Sequence, residues 1–301
     1  MSHAEKILHL GSHRPSRRRE KVVPITKDRR AGDARPHKPQ HLNGLSTRIA
    51  QEIAAAPSVA ILSDFDGTLA PIRRRPEIVK MSVRVRDALA QLARQGNLVG
   101  IVSGRGLIDV REKVGLNGIC YVGCHGYTMQ DSRGHTISLM NRTEKEILSR
   151  ARRVAAPKLR RIKGIRLEPK EAGLAVHYRD ASIASIRAAR ALVDQVLAKD
   201  RRLHLLAGKK VWEILPGPRV DKWTAIRFLL ALENHADSLL VYIGDDVTDE
   251  SVFSRMRGIS IAVGKPRNTA AQFVVDTPFD VWRFLDQVIE AKENRTPHSF
   301  A

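Results

Sequence analysis

The sequence predicts an α/β fold: a doubly wound parallel sheet interrupted by a smaller, inserted α+β unit. Three observations carry this. Short, nearly continuous apolar runs recur along the chain. Amphipathic helical patterns lie between them. The middle of the chain switches to polar, alternating strands with helices grouped beside them.

The clearest apolar runs are residues 59–62, 98–102, 119–122 and 239–243. Each is short and apolar throughout, as expected for strands buried on both faces of a parallel sheet. Residues 259–263 and 273–275 read as two more. Helical periods at 83–94, 222–232 and 281–292 separate them, and that alternation implies a doubly wound sheet. From about residue 129 to 216 the pattern changes. Polar strands are predicted at 134–139, 164–169, 174–179 and 211–215, with helices at 143–155 and 183–199. This reads as a unit with one open sheet face. The expected organisation is a tail (1–45), a core in two pieces (46–128 and 217–301) and an insert (129–216).

Length and composition bound the function. A chain of 301 residues suits two domains, and 43% apolar content is enough for a core. The charge is unusual: 52 Lys and Arg against 32 Asp and Glu give +20. That points to nucleic acid, an acidic membrane surface or a phosphorylated ligand. No apolar run reaches the ~18 residues of a membrane span, and no secretory leader pattern is seen. Two cysteines cannot build a disulfide framework, which fits a reducing, cytoplasmic setting. Residues 1–45 hold 11 Lys and Arg, 4 Asp and Glu, four prolines and no aromatic residue. They read as a mobile basic tail. Its Arg17-Arg18-Arg19 cluster can touch nucleic acid or anionic lipid, or simply stay solvated.

The chemistry sits where the core strands end. The first runs into Ser63-Asp64-Phe65-Asp66-Gly67-Thr68-Leu69, the second into Ser103-Gly104-Arg105, and the fourth into Gly244-Asp245-Asp246, with Asp249 following. Ligands of open α/β sheets bind outside the carboxyl ends of the strands. Three strands therefore bring several carboxylates to one crevice. Crowded carboxylates repel unless a cation lies between them, and hard oxygen ligands beside a phosphate suit Mg²⁺. Asp64 can then attack phosphorus, and Asp66, two residues on, can serve as general acid and base. Gly67 permits the tight turn and Thr68 can bond nearby backbone. Ser103 would donate to a phosphate oxygen. Lys222, opening a helix, would neutralise the attacking group and the phosphate. Cys120, Cys124 and His125 lack the spacing of a zinc site, and the two thiols read as buried and reduced.

These strings resemble the four motifs of the haloacid dehalogenase (HAD) superfamily, with its Rossmannoid core and inserted cap. More narrowly, residues 46–290 resemble the trehalose-6-phosphate phosphatase family. The strings carrying that likeness are 101–105 (IVSGR), 122–126 (VGCHG), 167–170 (LEPK), 176–179 (VHYR), 211–216 (VWEILP) and 243–250. The resemblance implies a Mg²⁺-dependent phosphatase releasing trehalose through an aspartyl-phosphate. Asp64 would be nucleophile and metal ligand, and Asp66 acid/base and carbonyl ligand. Asp245 would bind the metal with support from Asp246 and Asp249, and Ser103 and Lys222 would hold the phosphate. Arg105, His125, Glu168, Lys170, His177, Arg179 and Glu213 would meet the sugar hydroxyls.

Two positions depart from the family pattern. Trp223 follows Lys222 where glycine is usual, so the start of that helix is open to change. Cys124 precedes His125 where asparagine is frequent, which removes an amide donor. Two alternatives stay open: a related phosphatase acting on another sugar phosphate or a glycosyl-phosphoglycerate, and a basic nucleic-acid-binding or regulatory protein on a phosphatase scaffold. Oligomeric state cannot be read from these residues.

Overall fold

Residues 38–295, apart from Arg74, Pro218, Arg219 and Arg267, are described by the structure, a computed structural model. In chain order the strands are β1 (Gln40–His41), β2 (Val59–Ser63), β3 (Leu98–Val102), β4 (Cys120–Gly123), β5 (Thr128–Gln130), β6 (Thr136–Ser138), β7 (Arg166–Lys170), β8 (Gly173–His177), β9 (Leu203–Gly208), β10 (Val211–Pro216), β11 (Leu239–Gly244), β12 (Ile259–Val263) and β13 (Phe273–Val275). The α-helices are α1 (Ser46–Ala55), α2 (Val83–Arg94), α3 (Leu107–Val114), α4 (Arg142–Leu159), α5 (Ile183–Lys199), α6 (Lys222–Leu232), α7 (Glu250–Phe253) and α8 (Pro278–Glu293).

The large sheet has the order β1-β13-β12-β11-β2-β3-β4-β5-β6. Pairing is parallel from β1 to β4 and antiparallel for β5 and β6. Because β2 is apolar at every position, it buries both faces. Val59 and Ile61 join α1, α2, α3 and α8 on one side, through residues such as Ile53, Leu89, Val110 and Phe284. Ala60 and Leu62 join α6 and α7 on the other, through Ile226, Leu229 and Val252. Strand β2 lies between β3 and β11. Its carboxyl end is thus flanked by two other strand ends, the arrangement that creates a crevice.

A second sheet, β7-β8-β10-β9, is antiparallel throughout. Its strands alternate. Leu174, Val176, Trp212 and Ile214 pack beneath α4 and α5 with Ile147, Ala189 and Val193. The intervening positions, including Glu168, Lys170 and Glu213, take the opposite face.

The structure differs from expectation at three places. Residues 40–45 are part of the fold rather than tail: β1 pairs with β13 and Leu42 is 1% exposed. A single apolar side chain that finds a core outweighs the polar composition around it. Residues 128–138 extend the large sheet as β5 and β6 instead of belonging to the second sheet, because β5 folds back antiparallel on the free edge of β4. Helices α1 and α3 and strand β9 were not expected. Eight residues make α3 too short for a clear period, and it stops at Gly115, whose φ is 65°. The Arg17-Arg18-Arg19 cluster lies outside the described residues.

Candidate active site

Strand β2 delivers Asp64 to the crevice, buried at 5% exposure. Asp221 caps α6 by accepting from Thr224 N and Oγ1, both at 2.8 Å, and this aims Lys222 inward from the first helical position. The Lys222 ammonium donates to Asp64 Oδ1 and Asp249 Oδ1, each at 2.7 Å, and is 2% exposed. Asp249 also accepts from the Tyr242 hydroxyl at 2.6 Å and from Asp246 N at 2.9 Å. Its two oxygens thus already accept three hydrogen bonds inside the protein. Asp245 is different: its Oδ1 is buried with no hydrogen-bond partner.

Asp64, Asp245 and Asp249 each place one carboxylate oxygen within 4.8 Å of the others. This crowding has an electrostatic signature. Burial first, then the Asp249 and Asp245 charges, push the Asp64 carboxyl well above its ordinary range, against the pull of Lys222. Burial likewise pushes Asp245 up to about 6, with Lys209 opposing and Asp249 and Asp246 adding. Burial works against the Lys222 charge, but the Asp249 and Asp64 carboxylates outweigh it and raise its pKa. A cluster of oxygens with one orphaned acceptor and a deficit of positive charge suits a hard divalent cation. Gly67 makes the cluster sterically feasible. Its φ is 90°, and a Cβ there would lie 2.1 Å from Asp245 Oδ2.

Asp66 is near the cluster in sequence but is held apart by Arg105. The guanidinium grips it in a fork, Nε to Oδ2 at 2.5 Å and Nη2 to Oδ1 at 2.8 Å. The same side chain donates to Asp109 at 2.6 Å and to the Pro76 carbonyl at 3.0 Å. Arg105, expected at the sugar, is thus committed to the core. Ser103 ends β3 beside β2, buried, and its hydroxyl accepts from Arg105 N at 3.2 Å. Asp246 is absorbed in capping the short turn at 247–249, where it accepts from Val247 N at 2.7 Å. Thr68 does not bond nearby backbone; its buried hydroxyl has no partner.

The second sheet brings most of the remaining candidates together. Lys170 donates to Glu213 at 2.8 Å and to the Gly104 carbonyl at 2.8 Å. His125 Nε2 lies 3.3 Å from the same Glu213 oxygen. Burial opposes ionisation of Glu213, yet the charges of His125 and Lys170 hold it down at about 2. His177 lies 2.7 Å from Glu168, and this hydrogen bond lowers the Glu168 pKa despite burial. Arg179 stands apart, exposed, bonded to the Lys209 carbonyl at 3.3 Å. His125 Nδ1 and Glu213 Oε2 are buried without partners.

Three residues at the site escaped the sequence reading. Tyr242 orients Asp249. Lys209, in the β9–β10 turn, reaches Asp245 Oδ2 at 3.4 Å. Glu171, in the β7–β8 turn, contacts the core. Tyr242 lay inside an apolar run, and turn residues carry no periodic signal. Trp223 packs partly buried against the core while α6 keeps its cap. Cys124 takes a left-handed φ of 50°, a conformation asparagine also tolerates, and its thiol is buried.

A family model described as trehalose-phosphatase matches residues 62–278. The chain belongs to the trehalose-phosphatase family. Among the relatives of this trehalose-phosphatase family member is a probable trehalose-phosphate phosphatase of Arabidopsis thaliana. It is 33% identical, over 84% of this chain and 73% of its own length. A trehalose 6-phosphate phosphatase of Zea mays is 32% identical, over 81% of this chain and 73% of its own length. The fold is shared with the C-terminal domain of a C. albicans trehalose-6-phosphate phosphatase, with a TM-score of 0.70 at 21% identity. That match covers 85% of this chain and 99% of the other. None of the described helices is long and apolar enough to cross a membrane.

Proposed function

We propose that this chain hydrolyses trehalose 6-phosphate to trehalose and phosphate through an aspartyl-phosphate on Asp64. The observation that carries the proposal is the buried Asp64, bonded to Lys222 and crowded by Asp245 and Asp249 at the carboxyl end of β2. The names of its relatives supply the substrate.

Asp64, Asp245 and the Asp66 carbonyl would hold Mg²⁺, with Asp246 and Asp249 in support. When bound, the ion would supply the positive charge that favours ionised Asp64 and the approach of a phosphate. Lys222 and Ser103 hold the phosphate oxygens. An Asp64 oxygen attacks phosphorus, the bond to the sugar oxygen breaks, and Asp66 gives that oxygen its proton. Asp66, now ionised, takes a proton from water as the water oxygen attacks phosphorus. The bond to Asp64 breaks and phosphate leaves. For either transfer Asp66 must come away from the Arg105 fork, and for the first it must also take up a proton from solvent.

The second sheet with α4 and α5 acts as a cap. Glu168, Lys170, His177, Arg179, His125 and Glu213 offer hydrogen bonds to a disaccharide, and the orphaned His125 Nδ1 and Glu213 Oε2 are suited to hydroxyl partners. A reducing, cytoplasmic setting is supported by the free, buried thiols of Cys120 and Cys124.

The test is phosphate release from trehalose 6-phosphate, sucrose 6-phosphate, glucose 6-phosphate and a glucosylglycerate phosphate, with and without Mg²⁺. Preference for the first, dependent on the metal, is expected. Preference for another member of the panel would replace the substrate assignment.

A further inference from the structure

Helix α3 begins without a cap of its own. Its N-cap is Gly106, which has no side chain to accept the free amides of the first turn. Those amides are met from the inserted unit. Leu107 N donates to Glu171 Oε2 and Ile108 N to Glu171 Oε1, both at 3.2 Å. The Cys124 thiol donates to the same carboxylate at 3.3 Å. The absent Cβ of Gly106 permits this approach, since a Cβ there would lie 2.8 Å from Glu171 Oε2.

The preceding residue takes the other end of the same loop. Lys170 Nζ donates to the Gly104 carbonyl at 2.8 Å. Two consecutive insert residues therefore grip both ends of segment 104–108. Between the grips lies Arg105, whose amide bonds the Ser103 hydroxyl and whose side chain holds Asp66. The gripping turn is itself held by hydrogen bonds and burial. Arg152, on α4, donates to the carbonyls of Lys170, Glu171 and Gly173. Ala172 is fully buried with Cys124, Tyr127 and Leu215. Burial opposes the Glu171 charge, but the amides and thiol it accepts from hold its carboxyl below the ordinary range.

We infer that Glu171 is a positioning residue that fastens the inserted sheet to the 103–108 loop and keeps the sugar-facing side chains in register with the phosphate end of the site. The inference rests on the proposed function for its catalytic consequence and on geometry alone for the fastening. A reader of phosphate and a reader of sugar must be held at a fixed separation for one substrate to satisfy both, and small misplacements are costly.

Glu171→Ala and the milder Glu171→Gln are compared in the full chain, which also covers a failure of the alanine variant to fold. Hydrogen exchange of residues 104–110 and 168–174 is read first. Exchange at least about tenfold faster in both segments, with α6 unchanged, is expected from losing charge-assisted bonds at a helix N-terminus. Unchanged exchange overturns the fastening whatever the substrate proves to be. Turnover is read next, on trehalose 6-phosphate and on p-nitrophenyl phosphate, which has no sugar to reach the insert. A roughly tenfold fall in kcat/KM for the sugar phosphate, at least about threefold larger than the fall for the aryl phosphate, supports positioning. Equal loss on both substrates overturns it. If wild type cleaves only the aryl phosphate, the substrate assignment fails while the exchange result still stands.

Discussion

Glu213 sits at the junction of core and insert, and its carboxylate is held between Lys170 and His125. Its carboxylate bonds Lys170 at 2.8 Å and lies 3.3 Å from His125, with side-chain exposure of 9% for Glu213 and 7% for Lys170. Glu213→Gln keeps the shape and removes the charge. The folded pKa of about 2 lies below the ordinary 4.5, so the charged form is favoured by the fold. That stabilisation is present above pH 4.5 and is lost as pH falls toward 2. A depression of that size corresponds to about 3 kcal/mol at pH 7, falling to about 1 kcal/mol near pH 3. Breaking one side of a buried ion pair gives an independent figure of about 3–5 kcal/mol, so the two routes agree. Urea unfolding of both proteins across pH 3 to 7 measures the difference. Stability differing by about 3 kcal/mol at neutral pH and converging on acidification is expected. A difference below about 1 kcal/mol at pH 7, or one independent of pH, would refute the reasoning.

Asp64→Asn preserves shape and the Lys222 contact, so a folded protein without measurable phosphate release is expected by circular dichroism and a phosphate assay. Gly67→Ala places a Cβ against Asp245 at a φ of 90°; a loss of at least about 1 kcal/mol and of most activity should show in thermal melts and turnover. Mg²⁺ should raise Tm by several degrees through relief of the Asp64, Asp245 and Asp249 crowding, and Asp245→Ala should cancel the shift. Glu168→Gln should raise KM for trehalose 6-phosphate more than it lowers kcat, while turnover of p-nitrophenyl phosphate stays within about twofold.

The parallel sheet was legible because its strands are apolar on both faces, and Asp64, Ser103 and Asp245 were legible because each ends such a run. Lys222 was placed by its position at a helix start. Arg105 was not, because an arginine after Ser-Gly reads equally as a ligand contact or an ion-pair partner. Only the fold brings Asp66 and Asp109 to it. Asp246 and Asp249 were indistinguishable by spacing, yet one caps a turn and the other anchors Lys222. The charge also reads differently in place. Residues 142–166 hold ten Lys and Arg against two Glu, along α4 and the chain just beyond it. That helix covers the side of the second sheet opposite Glu168, Lys170 and Glu213. Attraction of a substrate phosphate therefore accounts for less of the positive charge than composition suggested.

The place of β2 between β3 and β11 carries a consequence for synthesis. Val59 pairs with Leu239, about 180 residues later in the chain. At the usual ~5–20 residues per second, that edge of β2 waits roughly 10–40 s for its partner. Asp64 waits still longer for Asp249 and for the Lys222 bridge between them. A nascent chain interrupted anywhere before β11 therefore carries an uncovered apolar strand edge and an unassembled nucleophile. Such chains are candidates for chaperone binding or aggregation and have no capacity for turnover.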